Sequence, residues 1–464
     1  MSHAEAVHTL APAAGATAAL IEFNRRLRTD AIPQEARHYA KRHLLDTVGV
    51  MIAGAPGTIA SSAEAVIASV RPAGKIPVPG RARRADLLDA AFLGGTAAHG
   101  IELDDGYRNG SAHCGCVIVP AILSVGYDRR VSGAALIEAM IAGYETNISL
   151  ARACAPDLRH RGFHPTSAVG PFGAAMATAK LRGLPADKLG NALGIAASSA
   201  AGLFAFVNGG GDIKRLHAGH ASREGIQAAL LAEQGVEGPP NVIESRDGFM
   251  QAFAFGRIDK TRPIALPPRA EYGITDCYIK PYACCRHIQP AVEAAFGLLN
   301  DEKIGFEEIK SVEVETYKIA AEHAHVPWDD FASAQLSFPY LMGLAARYRG
   351  IKFEHFDDKT RKDPAFADFA RKLSVTAPAE IDGLYPRLRP ARVTVTTAKG
   401  TFVRQADEAW GSRIVPLDDA GLIAKFHGLV APVHGEARAK ELSERLWNIE
   451  QLKDTAPLIE ALAM

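Results

Sequence analysis

Apolar residues recur at three- and four-residue steps along most of the first 265 residues, and at two-residue steps in the segments that follow. This change of period constrains the fold more than any other feature. A period near 3.6 lays apolar side chains along one face of a helix, and a period of 2 lays them on one face of a strand. The first half predicts helices over 17–29, 34–53, 61–70, 85–103, 116–127, 132–154, 166–182, 185–207, 218–235 and 242–253. The proline-rich stretch PIALPPRAEYG (263–273) then interrupts the pattern, as a crossing between domains does. Alternation predicts strands over 275–280, 311–318, 372–378, 391–398 and 401–407, the last two joined at Lys399–Gly400 as a hairpin. Helices are expected between them at 287–300, 334–347 and 364–371, and after Trp410 at 418–428 and 436–463. The expected fold is mainly α with an α+β part. An all-helical domain takes residues 1–265 and 412–464, and a smaller α+β domain, 266–411, is inserted before the C-terminal helices.

Composition narrows the function classes. The 464 residues are 48% hydrophobic and 22% charged, which suits a large buried core. Lys+Arg and Asp+Glu both number 52, so no global field draws nucleic acid or an anionic membrane, and neither is an expected partner. The uncharged run from Leu189 to Gly211 is rich in Ala, Ser and Gly and has no second span beside it; it reads as a packed central helix rather than a membrane span. The N-terminal stretch lacks the basic, apolar and small-residue layout of a signal peptide. The six cysteines show no Cys-x-x-Cys pair and no disulfide spacing, so reduced thiols in a cytoplasmic protein are expected.

Ionisable residues gather at the edges of small-residue helices in five stretches: HGIELDDGYRNGSAHCGCVIVP (99–120), RGFHPTSAVGPFG (161–173), GGGDIKRLHAGHASREG (209–225), IKPYACCRHIQPA (279–291) and SFPYLMG (337–343). Together they read as the wall of a site for an anionic small molecule. His99, Glu102, Asp104, Asp105 and His113 have donor atoms suited to a metal. Their spacing matches no defined metal motif, so no metal and no other cofactor is expected. His113 is a candidate acid–base group, against the plainer role of the carboxylates as helix caps and loop tethers. His164 stands just before a helix start, with Thr166 or Ser167 as its N-cap, where anions are favoured. Lys214 and Arg215 follow Gly209–Gly211, a run that lets backbone approach a ligand; the P-loop order is absent. Lys280, Arg286 and His287 offer a clamp for carboxylates. Cys285 and His287 are too close in sequence for the usual Cys–His dyad, whose members meet across the fold. Tyr340 could donate a hydrogen bond.

The segments HGIELDD (99–105), GFHPTSAVGPFGAA (162–175), KRLHAGHASREGIQAALLAEQG (214–235) and KPYACCRH (280–287) resemble, in this order, the MmgE/PrpD family. That family includes 2-methylcitrate dehydratase, cis-aconitate decarboxylase and iminodisuccinate epimerase. The resemblance implies a metal-independent homodimer with a large helical domain, a smaller α+β lid, and a cleft for di- and tricarboxylates. It implies cleft-lining positions for His113, His164, Lys214, Lys280 and Tyr340. The decarboxylase-like pattern D-F-D-D-T is here Glu102–Leu103–Asp104–Asp105–Gly106, and the spacing from the Asp pair to His113 is one residue longer. A further histidine of the decarboxylases falls near Cys285. These departures turn the expectation to a hydro-lyase of the 2-methylcitrate dehydratase type, with an epimerase or a decarboxylase as the alternatives. The residues expected to carry catalysis are His113, His164, Lys214 and Glu102. Lys280, Arg286, His287, Tyr340 and Asp105 are expected to bind substrate.

Overall fold

The structure, a computed structural model, describes residues 15–206, 211–256, 263–267 and 270–464. Two expectations reach beyond these residues: residue 207 of the helix expected over 185–207, which already stops at Ser198, and Gly209 and Gly210 of the glycine run. The chain divides into two compact units, 1–279 with 418–464, and 280–417. Helices of seven or more residues are labelled α1 to α15 and strands β1 to β4.

The first unit holds α1 (Ala16–Arg26), α2 (Gln34–Gly54), α3 (Thr58–Val70), α4 (Leu87–His99), α5 (Gly115–Arg129), α6 (Gly133–Cys154), α7 (Pro165–Leu181), α8 (Ala186–Ser198) and α9 (Ile213–Glu233). After the second unit it resumes with α13 (Asp419–His434), α14 (Glu436–Trp447) and α15 (Ala456–Leu462). Helix α9 is central, packed on α4, α7 and α8. Small residues make this possible. A Cβ added at Gly95 of α4 would lie 2.8 Å from the Gly219 Cα of α9, so the two backbones run in contact and neither position tolerates a side chain. The C-terminal return is pinned by Lys425 of α13, whose ammonium donates to Asp46 at 2.5 Å and to the Leu103 carbonyl at 3.1 Å.

Besides the shortened 185–207 helix and the helix expected over 436–463, which is broken into α14 and α15, two expected elements in this unit take other forms. Residues 242–253 are turns followed by a single π-helical stretch, Met250–Phe255; Gly248 sits in the turn that joins them. Residues 275–280 form no strand: a 3₁₀ turn, Gly273–Asp276, leads to one bridge between Tyr278 and Gly106. The Glu145 carboxylate accepts the amides of Gly273 and Ile274 at 2.9 and 3.0 Å. These bonds hold the stretch after the proline-rich segment to the helical unit, so the break falls at 279/280 rather than at 265/266. Burial lifts the Glu145 carboxyl to about 7.

The second unit carries one four-stranded sheet in the order β2–β1–β3–β4, from β1 (Ser311–Thr316), β2 (Leu373–Thr376), β3 (Ala391–Thr397) and β4 (Gly400–Ala406). β1 and β2 are parallel, and the other pairs are antiparallel. Strand β3 alternates cleanly between buried and half-buried positions, as a central strand with one face on a core must. Helices α10 (Gln289–Asp301), α11 (Phe338–Tyr348) and α12 (Pro364–Ala370) accompany it, and α10 packs on β3 and β4. The mainly helical chain with an α+β part is the expected class. No helix among the described residues is long and apolar enough by itself to cross a membrane.

The close α4–α9 approach yields a contrast between two glycines. Gly95→Val forces these backbones apart and costs about 1–3 kcal/mol. Gly428 lies exposed inside α13 with nothing near its missing Cβ, so Gly428→Ala gains about 0.5–1 kcal/mol. Thermal denaturation of the two variants beside the parent chain should show opposite shifts.

Candidate active site

Three helix ends in the first unit bring the ionisable residues together. His99 is the last residue of α4, His164 is the N-cap of α7 with Pro165 at the first helical position, and Lys214 is the second residue of α9. Helix α9 starts at Ile213, five residues before the helix expected from the sequence, so Lys214 and His217 share a face at i and i+3. The loop from Gly100 to Cys114 supplies the rest. In it Glu102 adopts φ +56°, a left-handed conformation rare for a residue with a side chain.

The imidazoles form a row. The ring centroids of His113 and His99 are 5.0 Å apart, those of His99 and His164 5.7 Å, and those of His164 and His217 5.2 Å. Asp104, fully buried, accepts from His99 Nδ1 at 2.8 Å and faces His113 Nδ1 at 3.1 Å. The Asp105 carbonyl accepts from the same His113 nitrogen at 2.6 Å. Both partners are acceptors, so Nδ1 carries the hydrogen and Nε2 becomes the exchangeable position. His113 has the most exposed side chain of the row, at 13%. The His113 amide donates to Thr166 Oγ1 at 3.0 Å. Thr166 therefore ties the loop to α7 and does not cap it; the cap residue is His164 itself. His164 Nδ1 and His217 Nδ1 lie 3.0 Å apart, so one donates to the other. Lys214 Nζ donates to Glu102 Oε2.

Burial and mutual charge set the protonation states. Burial pushes His99 down to about 4, against the pull of Asp104, and burial brings His217 to about 4. His164 is driven well below its usual range, first by burial and then by His99 and Lys214. Burial alone would raise Asp104, but His113 and His99 beside it hold its carboxyl well below the usual range. The wall thus combines the Lys214 side chain, the neutral imidazoles of His99, His164 and His217, and the Asp104 carboxylate shared by two rings. Such a wall suits carboxylate groups of a small molecule and a proton moved at His113.

Two trios could supply metal ligands: His99, Asp104 and His113, and separately His43, Asp105 and Cys277. In the first, both imidazole Nδ1 atoms are already turned onto the one Asp104 oxygen. A cation there would have to displace the hydrogen bonds that fix the row.

Residues 18–260 match the MmgE/PrpD N-terminal domain, and residues 282–449 match the MmgE/PrpD C-terminal domain. The chain belongs to the MmgE/PrpD family. The cis-aconitate decarboxylase of Aspergillus terreus is 27% identical over 475 residues, covering 97% of this chain and 96% of that protein. The cis-aconitate decarboxylase-like protein oryM of Aspergillus oryzae is 25% identical over 474 residues, 97% and 98% of the two chains. Human cis-aconitate decarboxylase is 27% identical over 388 residues, 80% and 79%.

Within this MmgE/PrpD chain the expected catalytic residues His113, His164, Lys214 and Glu102 all stand in the one cluster. Of the expected substrate contacts, three have their polar groups committed inside the protein. Asp105 is fully buried; its carboxylate accepts from the Gly115 amide at 2.8 Å and the Tyr144 hydroxyl at 2.9 Å and lies 3.0 Å from His43. Arg286, in the second unit, donates to Gln289 and to the carbonyls of Ala409 and Trp410. The Tyr340 hydroxyl donates to the His355 carbonyl, and its ring is buried against Phe366 and Phe356. Also in the second unit, Lys280 is buried and His287 Nδ1 lies 2.7 Å from the Tyr317 hydroxyl. Sequence reasoning gave His217 no role, considered His99 as a metal ligand, and considered Asp104 as a metal ligand or as a cap and loop tether. The i, i+3 spacing of Lys214 and His217 was the signal, hidden by placing the helix start too late.

His99 also gives a pH dependence with a definite sign. Its folded pKa of about 4 lies below the roughly 6.5 of an unfolded histidine. The unfolded chain therefore binds more protons between these values. Stability from this group is fully present above about pH 6.5 and falls by roughly 1.4 kcal/mol per pH unit towards pH 4. Urea midpoints measured across that window should decline with acid. The decline should be shallower in His99→Asn, and an unchanged slope would show that His99 is not neutral in the fold.

Proposed function

We propose that this chain is a lyase that decarboxylates an unsaturated tricarboxylate of the cis-aconitate class. The observation that carries the reading is the row of imidazoles from His113 to His217, clustered with Lys214 and Glu102, in a chain similar along nearly its whole length to a cis-aconitate decarboxylase. The hydro-lyase expected from the sequence departures takes second place, because the curated relatives named above are decarboxylases or decarboxylase-like.

The chemistry follows from the residues. In such a substrate the C–C bond to one carboxylate breaks and CO₂ leaves. The released electron pair forms a new double bond, the original double bond shifts, and its far carbon takes a proton. Lys214 and the imidazole N–H of His164 hold the remaining carboxylates and offset the charge that develops. His113 enters the step as the imidazolium, gives up the proton from Nε2 and is left neutral, with the Nδ1 hydrogen still anchored on Asp104 and the Asp105 carbonyl. Glu102, paired with Lys214, gives way when a substrate carboxylate takes the ammonium. Glu102 also favours the second reading, since a carboxylate at this place can remove a proton next to a substrate carboxylate, and loss of water would follow.

Chelator-treated protein incubated with cis-aconitate should consume the conjugated absorbance and yield a product lighter by one CO₂ on mass analysis. Hydration instead would give a product heavier by one water and establish the second reading. Lys214→Ala and His113→Ala should each lower kcat/KM by on the order of 10²–10⁴ in protein that still shows a cooperative melting transition. Values within about threefold of the parent in both variants would remove this cluster from the reaction.

A further inference from the structure

The second unit contains a cysteine–histidine pair to which the proposed reaction gives no role. Cys285 Sγ lies 3.6 Å from His323 Nε2, and His323 Nδ1 lies 3.0 Å from the Leu336 carbonyl oxygen. A carbonyl can only accept, so Nδ1 carries the hydrogen and Nε2 turns its lone pair to the thiol. This is the order nucleophile, base, orienting group that activates a cysteine. The two side chains come from positions 38 apart and meet across the fold. The sequence neighbour His287 is engaged with the Tyr317 hydroxyl instead.

The pair is held in place from one segment. The Cys285 amide donates to the Gln335 carbonyl at 2.9 Å, and the next residue, Leu336, orients the histidine. The Cys285 carbonyl accepts the Ile288 amide at 3.0 Å in the turn into α10. Burial would push His323 down, but the thiol beside it and the Leu336 carbonyl raise it overall. The other groups that face the pair are Glu322 on the histidine's own segment, the His287 ring stacked 6.4 Å away, and Tyr317 with Arg389 near it. The remaining cysteines stand in contrast. Burial lifts the Cys116 and Cys277 thiols well above their usual range, and Cys114 is also raised. Cys285 is 7% exposed, Cys277 4%, and the other four 0%.

We propose that Cys285, activated by His323, is a site of covalent modification by small electron-poor alkenes. In the step, His323 Nε2 takes the thiol proton and Sγ attacks the β-carbon of the alkene. The S–C bond forms as the C=C π pair moves towards the activating carbonyl. The α-carbon then takes the proton back from His323, so the imidazole ends neutral and no oxidant or reductant is consumed. The inference does not depend on the decarboxylase reading.

Short pulses of N-ethylmaleimide on the native full-length chain, followed by digestion and mass mapping, test it. Cys285 should label first of the six cysteines and at least about tenfold faster than the next. Its rate should persist well below the roughly 8.5 of an ordinary thiol, a profile read on the parent chain without any substitution. His323→Gln should slow Cys285 by about tenfold or more and move its profile up to that of an ordinary thiol, while Cys285→Ser removes the first adduct. Earlier labelling of another cysteine would overturn the proposal. So would labelling of all six at one rate, an ordinary thiol profile in the parent chain, or a folded His323→Gln variant whose Cys285 reacts as before.

Discussion

Asp105 places a carboxylate where no water reaches it, and the arrangement of the histidine row depends on how that charge is met. A buried carboxylate is costly unless hydrogen bonds and opposite charge surround it. The Gly115 amide, the Tyr144 hydroxyl and His43 close around Asp105. Those partners belong to α5, α6 and α2, so satisfying one carboxylate fixes three helices relative to the loop. The same residue's backbone carbonyl then sets the tautomer of His113. A residue that never touches a substrate thus decides which nitrogen of the histidine can exchange a proton.

The second requirement is close backbone packing. His99, His164 and Lys214 come from the ends of three helices, and rings 5 to 6 Å apart demand that those helices touch. Gly95 against Gly219 supplies the contact between α4 and α9, and Gly225 of α9 lies against Ala174 and the Pro171 carbonyl of α7. The N-termini of α7 and α9 add their partial positive charge beside His164 and Lys214. Apolar packing and anion affinity therefore arise from one set of small residues, which explains why the ionisable stretches of the sequence fall at the edges of small-residue helices.

The period change, the helices of the first half and the β3–β4 hairpin were legible because each rests on a local repeat of side chains. The stretches that misled are those where tertiary bonds override the pattern. Residues 275–280 alternate like a strand, yet Glu145 takes the amides of Gly273 and Ile274 just before them and Gly106 pairs with Tyr278 alone. The catalytic candidates were legible as ionisable residues in apolar surroundings. Their partners were not, because Asp104 with two imidazoles, or His323 with Cys285, are relations across the fold that no spacing records. Arg286 and Tyr340 show the converse. Both have the chemistry of substrate ligands, and only the structure reveals that Ala409, Trp410 and His355 carbonyls already use it.

Glu102 concentrates the remaining question of reaction type. Its backbone is held at φ +56°, a conformation that costs of order 1 kcal/mol or more for a residue with a side chain. It spends this strain on reaching Lys214, the ammonium of the histidine cluster. A shorter aspartate at the same place would have one methylene less to span that distance. Before substrate arrives, Glu102 keeps the buried ammonium paired; afterwards a substrate carboxylate can take its place with the same charge and the same donor. Exchange of one carboxylate for another avoids leaving a buried cation alone, which would be far more costly than either pairing. On the proposed reading the displaced Glu102 is then an anion beside a bound polyanion, and that repulsion is relieved once neutral CO₂ has left and the far carbon has taken its proton.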